Sequence, residues 1–382
     1  MIDNPPLLNA TPYSKVRILS IDGGGIRGLI PATIIKFLEE EIYHIRKKED
    51  ETLKKEEVKI GEYFDLIAGT STGGILACLY LMPANEPDKT GPEKNGRCRA
   101  RHEASYALEV YKNLGKVIFH KNIVDTVKNF PLWNERYNTG YLDTELIKEF
   151  GNTYLNELIR PCLITAYDFF KRRAVFFNST DARSEEGRVK NFLIRDIARA
   201  TSAAPTYFEP ARIQNRGMGE FNLIDGGVFV NNPAMCAYSE ARGTLFNQDP
   251  FMKNQFNNDK PNNPSAKDMF ILSIGTGSES KPYHYSELKN AGLVTWLPVI
   301  IDIMMSANSE TVDFLLQKMF QTLPIADQVD YIRLRPSLGE ASGEIDNGTE
   351  KNIKELEEAG NNFVFDNIKQ LRAIAQKLVQ YS

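Results

Sequence analysis

Histidine and cysteine are both scarce in this chain, with four of each among 382 residues, and no long apolar run occurs. Each scarcity removes a class of function. Cys78, Cys98, Cys162 and Cys236 stand far apart with no C-x-x-C pair, and the histidines are not clustered, so a structural zinc site is not expected. Met1–Ser14 holds no basic segment followed by an apolar core, so no secretory signal is read; the default is a reducing cytoplasm with free thiols. The cysteines then read as small buried hydrophobes, except Cys98, which sits in a polar stretch. No segment reaches the ~18 apolar residues that span a bilayer. The nearest, Leu293–Met305, is interrupted by Pro298 and Asp302. The formal net charge is -4, with Lys and Arg scattered among acids, which leaves no basic block for nucleic acid. What is present is 42% hydrophobic and 25% charged residues, ordinary for a globular protein able to bury a substantial core.

Hydropathy alternates between two kinds of segment. Val16–Ile21 is an apolar, β-branched run that ends at Asp22-Gly23-Gly24-Gly25, and beyond Pro31 the apolar positions Ile34, Ile35, Leu38, Ile42 and Ile45 take helical spacing. The pattern repeats with a strand over Tyr63–Ala68, a sharp turn at Gly69–Gly73 and an apolar helix over Gly74–Leu81. Further strands are expected at Cys162–Tyr167, Ala174–Asn178, Phe221–Ile224, Met269–Ile274 and Val329–Leu334. Helical patterns lie at Glu103–Phe119, Phe192–Ser202, Pro233–Phe246 and Glu350–Gln380. Such alternation predicts an α/β fold, a mostly parallel central sheet covered by helices on both faces. Residues 16–335 are expected to form one domain, with 336–382 a helical tail packed on it. Pro83–Arg101 and Asn247–Lys267 read as long loops.

Three motifs carry chemistry. Gly69-Thr70-Ser71-Thr72-Gly73 fits G-x-S-x-G between a strand and a helix, the context in which small neighbours let a strained turn project a serine hydroxyl. A plain Gly/Ser turn capping a helix is the competing reading. In Asp22–Gly28, consecutive glycines let backbone amides converge on an anion, either a phosphate or the oxyanion of an attacked ester, with Arg27 close by. Gly23-x-Gly25-x-x-Gly28 also satisfies the dinucleotide fingerprint, but the second strand ending in an acid is replaced by the charged Lys47–Glu57 stretch. Asp225-Gly226-Gly227 ends an apolar strand; it is either a turn or the base that a serine nucleophile needs. None of His44, His102, His120 and His284 sits in a motif, so a Ser-His-Asp triad lacks an obvious histidine.

Together these motifs resemble the patatin-like phospholipase family over about Ile18 to Pro233. Asp22–Gly28 matches its D-G-G-G-x-R/K-G block, Gly69–Gly73 its G-x-S-x-G and Asp225–Gly227 its D-G-A/G; Ile197–Phe208 resembles a further family segment. The resemblance implies a Ser–Asp dyad with Ser71 as nucleophile and Asp225 as general base. It also implies an oxyanion hole of the Gly23, Gly24 and Gly25 amides supported by Arg27, with Gly28, Gly69, Gly73, Gly226 and Gly227 shaping the loops. The expected substrates are the acyl esters of membrane phospholipids, lysophospholipids or galactolipids, cleaved without a cofactor by a peripherally membrane-associated protein. Plant storage members carry a secretory signal, so a bacterial or cytosolic relative is the closer expectation, and some bacterial relatives need a small signal or protein activator. If the strands before Ser71 and Asp225 are parallel, their C-terminal ends open at one edge and the two residues meet there. Apolar walls for an acyl chain are expected from Leu293–Phe320, through Trp296, Leu297, Ile300, Ile301, Met304, Met305, Phe314, Leu315 and Met319. A nucleotide-binding oxidoreductase and an idle storage protein are the alternatives.

No H-E-x-x-H, Cys/His cluster or D-x-D-x-D-G loop is present. Ester hydrolysis is therefore expected to survive EDTA, and a loss that calcium restores would reject a metal-free mechanism.

Overall fold

The computed structural model describes residues 14–84, 98–118, 139–246, 260–278 and 282–382. The strands are β1 Val16–Ile21, β2 Leu66–Thr70, β3 Cys162–Asp168, β4 Arg173–Asn178, β5 Ala211–Gln214, β6 Glu220–Asp225, β7 Met269–Ile274 and β8 Tyr331–Leu334. The principal helices are α1 Leu29–Glu49, α2 Thr72–Leu81, α3 Ala104–Ile118, α4 Thr139–Phe150, α5 Ile194–Thr201, α6 Ala234–Gly243, α7 Leu293–Phe320, α8 Glu350–Asp366 and α9 Ile368–Gln380. Among the described residues the strands form one sheet in the order β5-β6-β3-β2-β1-β7-β8, with β4 also paired to β3. The run from β3 through β2, β1 and β7 to β8 is parallel. Helices lie on both faces, as the alternation of segments requires.

Strand β1 shows why its sequence reads as one apolar run. Val16 and Ile18 point into a core closed by α6 and the C-terminal part of α7, through Ala237, Tyr238, Leu316 and Phe320. Leu19 and Ile21 point into the larger core under α1, α2, α8 and α9. A strand buried on both faces has no reason to alternate apolar with polar. All ten residues of α2 are buried, so it too lacks a polar face.

Several boundaries differ from expectation. Strand β2 begins at Leu66 and runs through Thr70, which narrows the expected five-residue turn to Ser71. The C-terminal pattern is two helices meeting at Asn367. Helix α7 passes through Pro298 without ending. Edge strand β5 went unanticipated, since four residues are too few to establish a period. The expected loop Pro83–Arg101 is closed at its neck by a Pro83–Ala100 bridge, and residues 85–97 of it, most of Asn247–Lys267, and His120 lie outside the described residues.

Strand β6 carries the main correction. It pairs antiparallel with β3, so it runs opposite to β2. Strand β4 occupies one edge of β3 along Leu163–Asp168, so β2 and β6 share the other edge in succession. Thr70 sits opposite Thr165 and Asp225 opposite the next residue, Ala166. The two strands therefore approach head-on, and Ser71 and Asp225 meet at the junction.

The opposite end of the sheet is closed by a buried ionic knot. Asp65 is fully buried, accepts Arg17 Nε at 3.0 Å and Nη2 at 2.8 Å, and lies 3.2 Å from Lys260 Nζ. Lys260 Nζ also donates to the carbonyls of Lys15 and Tyr381, which ties the chain's last helix to its first strand. Burial alone would raise the Asp65 pKa; the Arg17 and Lys260 charges hold it well below its ordinary value. A depressed carboxyl stabilises the fold above its unfolded pKa of ~3.9 and loses that contribution as pH falls. Asp65→Asn should thus destabilise the protein by about 3–5 kcal/mol at neutral pH, since it strands two buried cations. Urea melts at several pH values check this; a penalty that does not shrink toward acid pH contradicts the assignment.

Candidate active site

Ser71 has φ 53° and ψ -122°, a left-handed backbone that side-chain-bearing residues seldom adopt. The neighbouring glycines explain how the turn tolerates it. A β-carbon on Gly69 would stand 2.2 Å from the Gly73 carbonyl oxygen, and one on Gly73 would stand 2.1 Å from that of Ile21. Strand, elbow and helix are in contact at these points, which leaves room for hydrogen only. The Ser71 amide donates to Thr201 Oγ1 at 2.8 Å, and Thr201 Oγ1 donates to the Thr165 carbonyl at 2.7 Å. The elbow is thus fastened to β3 through α5.

The Ser71 hydroxyl lies beside the Asp225 carboxylate, and both residues line one cavity. Both residues are buried, with 8% and 5% of their surface exposed. Asp225 Oδ1 also accepts the Gly227 amide at 2.7 Å, and the Asp225 amide donates to the Ala203 carbonyl at 3.0 Å. Burial raises the Asp225 pKa from 3.8 to about 6, against the opposing influence of the nearby Ser71 hydroxyl and the Gly227 amide. Gly226 sits where a β-carbon would stand 2.2 Å from Thr165 Oγ1, so the turn after Asp225 lies directly on β3.

The glycine-rich loop lies across from this pair, and its residues divide. The Gly23 amide donates to the Asn231 carbonyl at 3.1 Å, so it is committed to holding the loop. Gly24 and Gly25 line the cavity beside Ser71, and Gly25 has φ 58° under the Ile345 carbonyl. Arg27 is buried and folded back, its Nε donating to the Gly24 carbonyl at 3.3 Å. Gly28 meets Thr72 where α1 and α2 begin, and Thr72 Oγ1 donates to the Gly25 carbonyl at 2.8 Å.

Residues outside the motifs complete the scaffold. Arg333 on β8 makes a two-pronged pair with Asp22, Nη1 to Oδ1 at 2.7 Å and Nη2 to Oδ2 at 2.6 Å. Ser309 Oγ on α7 donates to Asp22 Oδ2 at 3.0 Å, and Asn308 Oδ1 receives the amides of Asn231 and Asn232. Sequence reading found none of these. A lone arginine in a strand, or Asn-Ser in a helix, carries no signal until the fold brings it to the loop. Thr201 and Ala203 lie within Ile197–Phe208, a segment recognisable beforehand without an evident task.

Ser71 and Asp225 open into a cavity of about 110 Å³. Its walls are mainly apolar, with Ile75, Leu114, Leu142 and Phe208 on one side and Ile301, Met304 and Met305 of α7 on the other. Of the other α7 side chains expected there, Leu297, Ile300, Phe314 and Leu315 face outward, Met319 packs against the core shared with α6, and Trp296 is not part of the lining. The described histidines stay outside the lining: His44 and His284 are exposed, and His102 stacks on Tyr106 with its pKa lowered by burial to about 4. Among the described residues no helix is long and apolar enough to cross a membrane.

Comparison with known proteins bears on this arrangement. The sequence model of the patatin-like phospholipase family matches residues 19–238. "Patatin-like protein 1" of Oryza sativa subsp. indica is 31% identical, over 97% of this chain and 86% of its own. "Patatin-like protein 2" of Arabidopsis thaliana is 32% identical over 94% and 86%, and "Patatin-T5" of Solanum tuberosum 32% over 92% and 84%. The likeness thus continues well past Pro233, where the motifs end, and these relatives are plant proteins. The chain belongs to the patatin-like phospholipase family, and its general chemistry is the hydrolysis of acyl lipids.

Proposed function

We propose that the protein is a serine-dependent lipid acyl hydrolase of phospholipase A or lysophospholipase type, with Ser71 as nucleophile and Asp225 as general base. One observation carries the reading: a serine on a strained elbow stands beside a buried carboxylate in an apolar cavity. The acyl chain of a phospholipid, lysophospholipid or galactolipid lies along the apolar walls, which brings its ester to Ser71. Asp225 takes the hydroxyl proton as Ser71 Oγ attacks the carbonyl carbon. The amides of Gly24 and Gly25 face the developing oxyanion, and Arg27 and Asp22 hold their loop. A carboxylate of ordinary pKa is a weak base; one raised to about 6 is matched to neutral pH.

Surface properties favour peripheral association with a lipid bilayer. Leu297, Ile300 and Ile303 are exposed on the stretch of α7 whose neighbouring residues Ile301, Met304 and Met305 line the cavity. One helical segment therefore offers an apolar outer face and an acyl-chain wall.

Asp225→Asn should lower turnover about a thousandfold or more, roughly 4 kcal/mol of barrier. Wild-type turnover should rise with pH through about 6 and level off above it, because only the ionised carboxylate accepts the proton. The sign for stability is opposite. A raised carboxyl pKa means that ionisation on going from pH 3.8 past 6 costs folding energy, so Asp225→Asn should melt no lower than wild type at pH 7.5. Full activity in Asp225→Asn, with loss in a folded His284→Ala, would overturn the dyad. A second measurement concerns α7. Replacing Ile300 and Ile303 with Asp should cut hydrolysis of vesicle lipid at least roughly tenfold while a soluble short-chain ester is still cleaved. Equal loss on both substrates contradicts the membrane role.

A further inference from the structure

The segment Phe229–Asn232 joins the Asp225 turn to α6, and Asn231 lies in it with 5% of its surface exposed. Its backbone and half of its side chain are occupied. The amide donates to Asn308 Oδ1 at 2.9 Å, the carbonyl accepts from Gly23, and Nδ2 donates to Ser309 Oγ at 3.3 Å. Ser309 Oγ gives its own proton to Asp22, so it is an acceptor toward Asn231 and fixes which end of the amide faces it. The other end, Oδ1, is buried and has no hydrogen-bond partner among the described residues.

That oxygen stands beside both reacting groups. The place where a β-carbon of Gly23 would be is 2.5 Å from Asn231 Oδ1 and 3.3 Å from Ser71 Cβ. The equivalent place at Gly227 is 3.5 Å from Asn231 Oδ1 and 3.2 Å from Asp225 Oδ1. Gly227 lines the cavity, and Asn231 Oδ1 lies directly behind it with almost none of its own surface exposed. A buried acceptor without a donor is costly, and a small molecule bearing two O–H donors meets the need of both oxygens.

Building on the Ser71–Asp225 reading, we infer that Asn231 Oδ1 positions the water that hydrolyses the acyl-enzyme. One water proton is held by Asn231 Oδ1 and the other points at the Asp225 carboxylate. The water oxygen bonds to the acyl carbonyl carbon as Asp225 takes that second proton. Collapse of the tetrahedral intermediate breaks the bond from that carbon to Ser71 Oγ, and the proton on Asp225 passes to Ser71 Oγ. The fatty acid leaves with the proton that Asn231 held. Acylation needs no such water, so Asn231 acts in the second half of the reaction only.

Pre-steady-state release of nitrophenolate from a p-nitrophenyl ester separates the halves. Asn231→Ala should keep a first-turnover burst stoichiometric with enzyme while the following steady rate falls at least roughly tenfold, at one decade of rate per ~1.4 kcal/mol. Mass spectrometry of the quenched protein should then find an acyl adduct on the peptide carrying Ser71. Methanol, which reaches Asp225 with its single O–H, should regain turnover in Asn231→Ala more than in wild type. Asn231→Leu repeats the test at similar volume if the alanine variant does not fold. Burst and steady rate falling together would overturn the role of Asn231. Undiminished hydrolysis by Ser71→Ala would instead overturn the nucleophile itself.

Discussion

The site depends on how one edge of β3 is divided. Strand β2 holds that edge as far as Thr165, and β6, running the other way, holds it from Ala166 onward. Backbone hydrogen bonding to a common strand sets the separation of Ser71 and Asp225, with no need for either side chain to find the other. Hydroxyl bonds reinforce the joint: Thr70 Oγ1 meets Thr165 Oγ1 at 2.7 Å and donates to the Val230 carbonyl at 2.8 Å. A ladder fixes positions more rigidly than a loop does, and the proton transfer proposed for this pair needs that rigidity.

Burial then turns the geometry into reactivity at a cost to the fold. The environment that raises the Asp225 pKa to about 6 disfavours its charged form, so the protein is less stable at neutral pH than it would be with a neutral group there. Asp65 at the opposite end contributes in the other direction, since Arg17 and Lys260 hold its pKa down, although burial lowers the Lys260 pKa to about 8. A buried carboxylate is thus left without a cation beside Ser71 and paired with cations where the strands are anchored.

Local signals were legible in the sequence and long-range ones were not. The glycines at 69 and 73 announced the elbow, because few other demands place small residues between an apolar strand and an apolar helix. The α/β alternation announced the layers, and Asp225 was visible at the end of its strand. The direction of β6 was not, since an antiparallel and a parallel strand buried among the same neighbours have the same composition. Nor was the division of labour among Gly23, Gly24 and Gly25, which depends on a carbonyl at Asn231, more than two hundred residues away. Arg333, Asn308 and Ser309 belong to the same class: their tasks come from the topology rather than from any local pattern.

The Asp22–Arg333 pair spans 311 positions of the chain. A ribosome releases the glycine-rich loop early and its brace near the end, so the loop stays unfastened until β8 has emerged and joined the sheet. Partial chains, which carry Ser71, Asp225 and every recognisable motif, lack the brace on that loop. A nascent or prematurely terminated lipid hydrolase is a hazard to the membranes around it. This topology withholds the finished scaffold until synthesis is nearly complete.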